Sequence, residues 1–202
     1  MEISEGLQQK GAPYRIPGAS RLDLPKYLAN NGFKKGVEVG VYKAEFTEHF
    51  AKAGLEIYGV DPWMAQDYEG HEHRQARQDV IYEHAKRVVA PYPNCKLIRK
   101  TSMDAVKDFK DNSLDFIYID GNHGLKYVIE DLWEWSPKIR KGGIIAGHDW
   151  GHKPHPRIDS FCLHVTPAID AWVQCKHIDN WYVIGGAKER GDKWKSYLWV
   201  KE

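Results

Sequence analysis

The feature that most narrows the fold is the alternation, from Gly36 onward, of short apolar runs with stretches of helical period. GVEVGV (36–41) is an apolar run, AEFTEHFAKAG (44–54) repeats its apolar residues at helical spacing and closes on Gly54, and EIYGVD (56–61) is a second apolar run. A polar, histidine-bearing stretch over residues 70–90 predicts a helix and leads through PYPN to a strand, CKLIRK (95–100). The unit then repeats: SMDAVKDF predicts a helix, SLDFIYID (113–120) a strand, LKYVIEDLWEWSPKI (125–139) a helix and KGGIIAGHDW (141–150) a fifth strand. Apolar strands separated by helices form a parallel sheet covered on both faces, so the pattern predicts a doubly wound, Rossmann-like α/β domain. Past His148 the alternation breaks. TPAIDAWVQC predicts a helix, and WYVIGGAKERGDKWKSYLWVK a strand, a Gly-rich turn and a strand. Two strands so closely joined are antiparallel, because a parallel pair needs a crossover of about a dozen residues.

A chain of 202 residues holds one domain with an elaboration, at the usual ~150 residues per domain. Gly11, Pro13, Pro17 and Gly18 punctuate residues 1–22, which read as an arm or lid before a single domain over 23–202. With 42% apolar and 28% charged residues, a disordered tail, a collagen-like repeat and a coiled coil are excluded. The formal charge of +1, from 29 basic and 28 acidic residues, gives no overall field that draws the chain to nucleic acid or an anionic membrane. No run approaches the ~18 apolar residues of a membrane span, and MEISEGLQQK lacks the apolar core of a secretory signal. Cys95, Cys162 and Cys175, odd in number and without CxxC spacing, predict free thiols in a reducing compartment, hence a cytoplasmic protein. What departs from the average is 8 Trp, 11 Tyr and 10 His beside only 3 Met.

In an open α/β sheet ligands bind beyond the carboxyl ends of the strands. Those ends are Glu38 to Ala44, Asp61 to Trp63, Thr101 to Asp104, Asp120 to His123 and His148 to Trp150, and all five carry a carboxylate that a structural loop does not need. In E-V-G-V-Y-K-A, Gly40 lets the chain turn tightly beneath a ligand at the start of the next helix. It is not the dinucleotide fingerprint: Tyr42 and Ala44 stand where that motif has small residues, and Glu38 repels phosphate. Asp61 follows Glu38 by 23 residues, near the spacing of about 20 at which an acid takes ribose hydroxyls. A nucleoside without phosphate therefore fits better than a dinucleotide, against the alternative of an ordinary strand-to-helix turn.

The first loop, Asp61, and above all IDGNHGLKYVIEDL followed by GGIIAGHDW resemble class I S-adenosylmethionine-dependent methyltransferases. The nearest branch is the metal-dependent O-methyltransferases of sugars and sugar-bearing natural products, with catechol-type O-methyltransferases more distant. The resemblance covers roughly residues 34–150 and the final hairpin, and implies a seven-stranded sheet, mostly parallel, whose last strand is antiparallel. It implies that Glu38 meets the methionine amino end of S-adenosyl-L-methionine and that Gly40 lies beneath the cofactor, with Tyr42 in the same loop. It implies that Asp61 binds the ribose, Ser102 and Met103 flank the adenine, and Trp63 either covers the adenine face or is a half-buried loop aromatic. Asp120 and Asp149 match the two aspartates that hold a divalent cation, and Asp120 borders the cofactor as well. Oxygen ligands favour Mg²⁺, with Mn²⁺ as the alternative if His148, at the position of a third carboxylate, is also a ligand. His123 matches the general base of the sugar-modifying branch, which removes the proton from the acceptor hydroxyl; otherwise it is a loop histidine capping the helix near Gly124.

Two other readings stand beside this one. His123, His148 and Asp149 could bind zinc in a hydrolase, and the fold could persist as a non-catalytic nucleoside-binding protein. His152 and His155 would line a loop over the substrate or be solvated, because Gly151, Pro154 and Pro156 argue against a helix. Trp150 falls with the histidines at the expected pocket, whereas Trp133, Trp135, Trp172, Trp194 and Trp199 lie in periodic segments and are assigned to packing. The partner is then a small hydroxyl-bearing acceptor, and the arm could also join subunits.

Overall fold

The computed structural model describes residues 1–65, 71–151, 164–186 and 194–202. The strands are β1 (Tyr14–Arg15), β2 (Lys35–Val39), β3 (Glu56–Val60), β4 (Cys95–Ile98), β5 (Leu114–Ile119), β6 (Ile139–Trp150), β7 (Tyr182–Gly185) and β8 (Lys195–Val200). They form one sheet in the order β1-β7-β8-β6-β5-β2-β3-β4. All neighbours are parallel except the β6–β8 and β7–β8 pairs. The antiparallel C-terminal strand is therefore as expected, and the Gly-rich turn before it lies outside the described residues.

The helices are α1 (Ile3–Gly6), α2 (Leu24–Asn30), α3 (Glu45–Lys52), α4 (His71–Val89), α5 (Ser102–Ala105), α6 (Leu125–Trp135) and α7 (Val165–Cys175). Helix α6 turns Val128, Leu132 and Trp135 inward, and α7 turns Val165, Ala168, Ile169 and Trp172 inward, the spacing of a single apolar stripe. With Val37, Ile117, Ile145 and Tyr197 of the sheet they make one core layer. On the opposite face α2 and α3 pack Leu24, Leu28, Phe46 and Phe50 against Ile57, Phe116, Tyr118 and Leu198.

The sheet has eight strands, not seven, because residues 1–22 are folded onto it. Tyr14 N donates to Trp181 O at 2.8 Å and Ile16 N to Val183 O at 2.9 Å, and Ile3, Ile16 and Ala19 are buried in the second core layer. A two-residue strand bracketed by Pro13 and Pro17 carries no periodicity for sequence reasoning to detect. Among the tryptophans, Trp135, Trp172 and Trp199 are buried as assigned, but Trp133 and Trp194 are exposed. Trp150 turns toward α7, donating to Asp170 Oδ1 at 3.0 Å and meeting Trp181 edge-on.

The strand order places the topological switch between β2 and β5, whose register pairs Val39 with Ile119. The order in which strands are added reverses there, although β2 and β5 run parallel, and the two following loops open a crevice. Gly40 has φ +89°, and a Cβ at this position would lie 2.1 Å from the Asp120 carbonyl oxygen. Only glycine lets the two loops approach this closely.

Candidate active site

The first loop is held by Asp61. Its Oδ2 accepts from Val41 N (3.1 Å) and Tyr42 N (3.0 Å), and its Oδ1 from Trp63 N (2.8 Å). Tyr42, Ala44 and Trp63 all have positive φ, an arrangement that non-glycine residues adopt only when surroundings impose it. Oδ2 already accepts two bonds, but Oδ1 keeps a second acceptor position, so Asp61 can still take a hydroxyl there. Tyr42 is 53% exposed at the rim of the crevice.

Two of the predicted adenine-side residues are turned elsewhere. Trp63 is 1% exposed, packed with Val41, Ala44, Ile81, Ala85 and Val89, and its Nε1 donates to Tyr42 O at 2.8 Å. Its indole is a core element beneath the loop and does not present a face to a ligand. The Ser102 hydroxyl points inward, donating to Asp131 Oδ1 and accepting from Trp135 Nε1 at 2.8 Å. Asp131 is thereby satisfied in a buried position, where desolvation raises its pKa to about 6 against the opposing Ser102 bond. Ser102 can therefore face a ligand only through its backbone, while Met103 is half-buried beside it.

At the end of β2, Glu38 is 2% exposed and accepts a hydrogen bond from Thr47 Oγ1 on α3. Burial, aided by the charges of Asp120 and Asp61 and opposed by the Thr47 bond and Arg21, raises its pKa to about 8. Glu38, Asp61 and Asp120 therefore share one electrostatic environment at three neighbouring strand ends.

The fourth acid arrives through an irregularity. Between Gly147 and Trp150 the β6–β8 register shifts, and Asp149 has φ +59°. Such a bulge re-aims a side chain at the end of a strand, here toward Asp120. His123 Nε2 lies 3.5 Å from Asp120 Oδ1 and 3.3 Å from Asp149 Oδ2. Burial lowers the imidazole pKa, but the two carboxylates outweigh it and hold the pKa above the ordinary value. His148, 5% exposed, sets Nδ1 3.2 Å from Asp149 Oδ1 and 3.7 Å from Asp120 Oδ2, and its buried Nε2 finds no hydrogen-bond partner among the described residues. The ligand-capable atoms within 4.8 Å of one another belong to Asp120, His123 and Asp149. His148, expected in that group, is not part of it, although its Nδ1 approaches both aspartates. The zinc-hydrolase alternative required His123, His148 and Asp149 together, and the group has Asp120 in place of His148.

Residues 36–150 match the protein family described as methyltransferase domain. The chain belongs to this family. The acids that line the crevice, Glu38, Asp61, Asp120 and Asp149, lie within the matched residues. Among solved structures, the O-methyltransferase from Bacillus cereus in complex with S-adenosylhomocysteine has a TM-score of 0.64 at 13% identity, over 90% of this chain and 80% of that one. The O-methyltransferase TomG from Streptomyces achromogenes, involved in tomaymycin synthesis and solved with S-adenosylmethionine, has a TM-score of 0.64 at 10% identity, over 90% and 79%. At these identities the likeness is one of fold. An uncharacterised protein of Sinorhizobium fredii, y4gI, is 30% identical over 101 residues, half of this chain. The chain spans 11% of that relative's length.

Sequence reasoning missed Arg21, which the arm brings to 3.7 Å from Asp120 Oδ2. It also missed Thr47 at Glu38 and the buried Tyr118–Ser196 hydroxyl pair at 2.8 Å behind the site. Arg21 had no signal, since its contacts span about a hundred residues of sequence; Thr47, on the inward face of α3, could have been found from helical period. His152 and His155 lie outside the described residues. No helix among those residues is long and apolar enough to cross a membrane.

Proposed function

We propose that the protein transfers a methyl group from S-adenosyl-L-methionine to a hydroxyl of a small-molecule acceptor, a sugar or glycosylated compound, with a divalent cation held at Asp120 and Asp149. The observation that carries the reading is the convergence of these two carboxylates on His123 Nε2, at 3.5 and 3.3 Å. Two carboxylates brought together by a strained bulge repel each other unless a cation or proton is shared. The two carboxylates, as oxygen donors, suit Mg²⁺, with Mn²⁺ as the alternative. The buried acid Glu38 suits a cationic cofactor in the same way, because the ammonium of the methionine end compensates a carboxylate that burial otherwise keeps protonated.

When bound, the cofactor supplies an electrophilic methyl and the cation an electric field that eases loss of a proton from the acceptor hydroxyl. His123 accepts that proton at Nε2. Asp120 and Asp149 orient the ring and stabilise the imidazolium that results. Asp61 and the backbone of the first loop fix the nucleoside end, and Gly40 leaves room beneath it. Held by Glu38, Asp61 and the first loop, the cofactor would supply the methyl to the acceptor oxygen and would leave as S-adenosylhomocysteine.

The test is a methyl-transfer assay with labelled cofactor over a panel of glycosides. Exhaustive chelation is expected to abolish turnover and Mg²⁺ to restore it, and His123→Ala is expected to lower the rate at pH 7 by roughly 10²–10⁴-fold. Turnover that survives chelation would remove the cation's role; near-normal turnover in His123→Ala would remove the base.

A further inference from the structure

We infer that Arg21, delivered by the N-terminal arm, is the residue that recognises the carboxylate of the cofactor's methionine end, an assignment that rests on the methyl-donor reading above. The crevice is acidic: Glu38, Asp61, Asp120 and Asp149 stand at its four strand ends. A ligand bearing a carboxylate would be repelled there unless a cation faces it. Among the described residues, Arg21 is the Arg or Lys side chain that pairs with an acid of this cluster, at 3.7 Å from Asp120 Oδ2. Its guanidinium lies 5.0 Å over the Phe46 ring on α3, and its charge acts on both Glu38 and Tyr118. That position is at the β2–α3 corner, beside the acid suited to the ammonium of the same amino-acid end. The two charged groups of one zwitterion thus have a carboxyl that can ionise and a guanidinium next to each other.

The backbone that carries Arg21 is fixed. Ser20, fully buried, accepts from Leu22 N at 3.1 Å, and Ser20 N donates to Asp23 Oδ2 at 2.8 Å. Ala19 O accepts from Gly185 N at 2.8 Å, tying the segment to the end of β7. A planar guanidinium on an anchored turn suits two-pronged recognition of a carboxylate. The arm is on this account part of the binding site.

The experiment is calorimetric titration of the wild type, Arg21→Met and Arg21→Lys with S-adenosylhomocysteine and with its decarboxylated analogue, alongside ligand-free unfolding midpoints. Arg21→Met is expected to weaken S-adenosylhomocysteine by about 10- to 100-fold while leaving the analogue's affinity unchanged or higher, with Arg21→Lys between. Equal weakening of both ligands, or no weakening of either, would overturn the assignment and leave Arg21 as a fastening of the arm. A wild type that bound neither ligand is a different result, which would overturn the methyl-donor reading and this assignment with it.

Discussion

Glu38→Gln offers the sharpest physical test of the crevice. In the ligand-free protein the Glu38 carboxyl is buried, with Thr47 Oγ1 as its hydrogen-bond donor, and its pKa stands at about 8 against an ordinary 4.5. A raised carboxyl stabilises the fold when protonated. The stabilisation is complete below pH 4.5 and is lost as pH climbs through 4.5 to about 8, because the unfolded chain ionises first. At 1.36 kcal/mol per unit, the gap has a ceiling of ~5 kcal/mol, most of it falling above pH 5. Glutamine keeps an acceptor for Thr47 and cannot ionise. Urea unfolding without ligand should therefore show the variant gaining on the wild type by ~2–4 kcal/mol between pH 5 and pH 9. The same ionisation predicts that wild-type affinity for S-adenosylhomocysteine rises across pH 6–8 and that the variant's does not, since its ammonium favours the charged carboxylate. Parallel pH profiles for the two proteins in both measurements would refute the uncompensated acid at the end of β2.

Three further outcomes follow from the same contacts. Ser102→Ala strands Asp131 and the Trp135 indole N–H, and should cost ~1–3 kcal/mol in urea unfolding; an unchanged midpoint would mean that the inward hydroxyl is not spent there. Gly40→Ala forces a Cβ against the Asp120 carbonyl at a φ of +89°, so its melting temperature should fall and its S-adenosylhomocysteine binding should be lost. Asp149→Asn removes one of the carboxylates that raise His123, so the imidazole pKa followed by nuclear magnetic resonance should drop toward the ordinary value; a pKa that stayed in place would show that Asp149 does not bear on it.

The parts of the architecture legible in sequence were those written as local period. Alternating apolar runs specified the parallel sheet, the short Gly-rich connection specified the antiparallel last strand, and the carboxylates at strand ends located the crevice. Asp120, His123 and Asp149 were brought together as the paired IDGNH and GHDW segments implied. What stayed hidden depended on side-chain direction and on distant pairing. Trp63 and Ser102 occupy the expected loops but point into the core, a choice made by Tyr82, Asp131 and Trp135 from other helices. His148 alternates to the buried face of β6, and the bulge beside it, invisible to a period-two reading, is what sends Asp149 into the crevice. Arg21 reaches the site only because a two-residue strand docks the arm on β7.

The most direct test of the account is calorimetric titration of the wild-type protein with S-adenosylhomocysteine in the presence and absence of Mg²⁺. Stoichiometric binding of the nucleoside, together with a Mg²⁺ site that Asp120→Asn or Asp149→Asn abolishes, is the result predicted. Absence of nucleoside binding under both conditions, with tight zinc binding in its place, would contradict it.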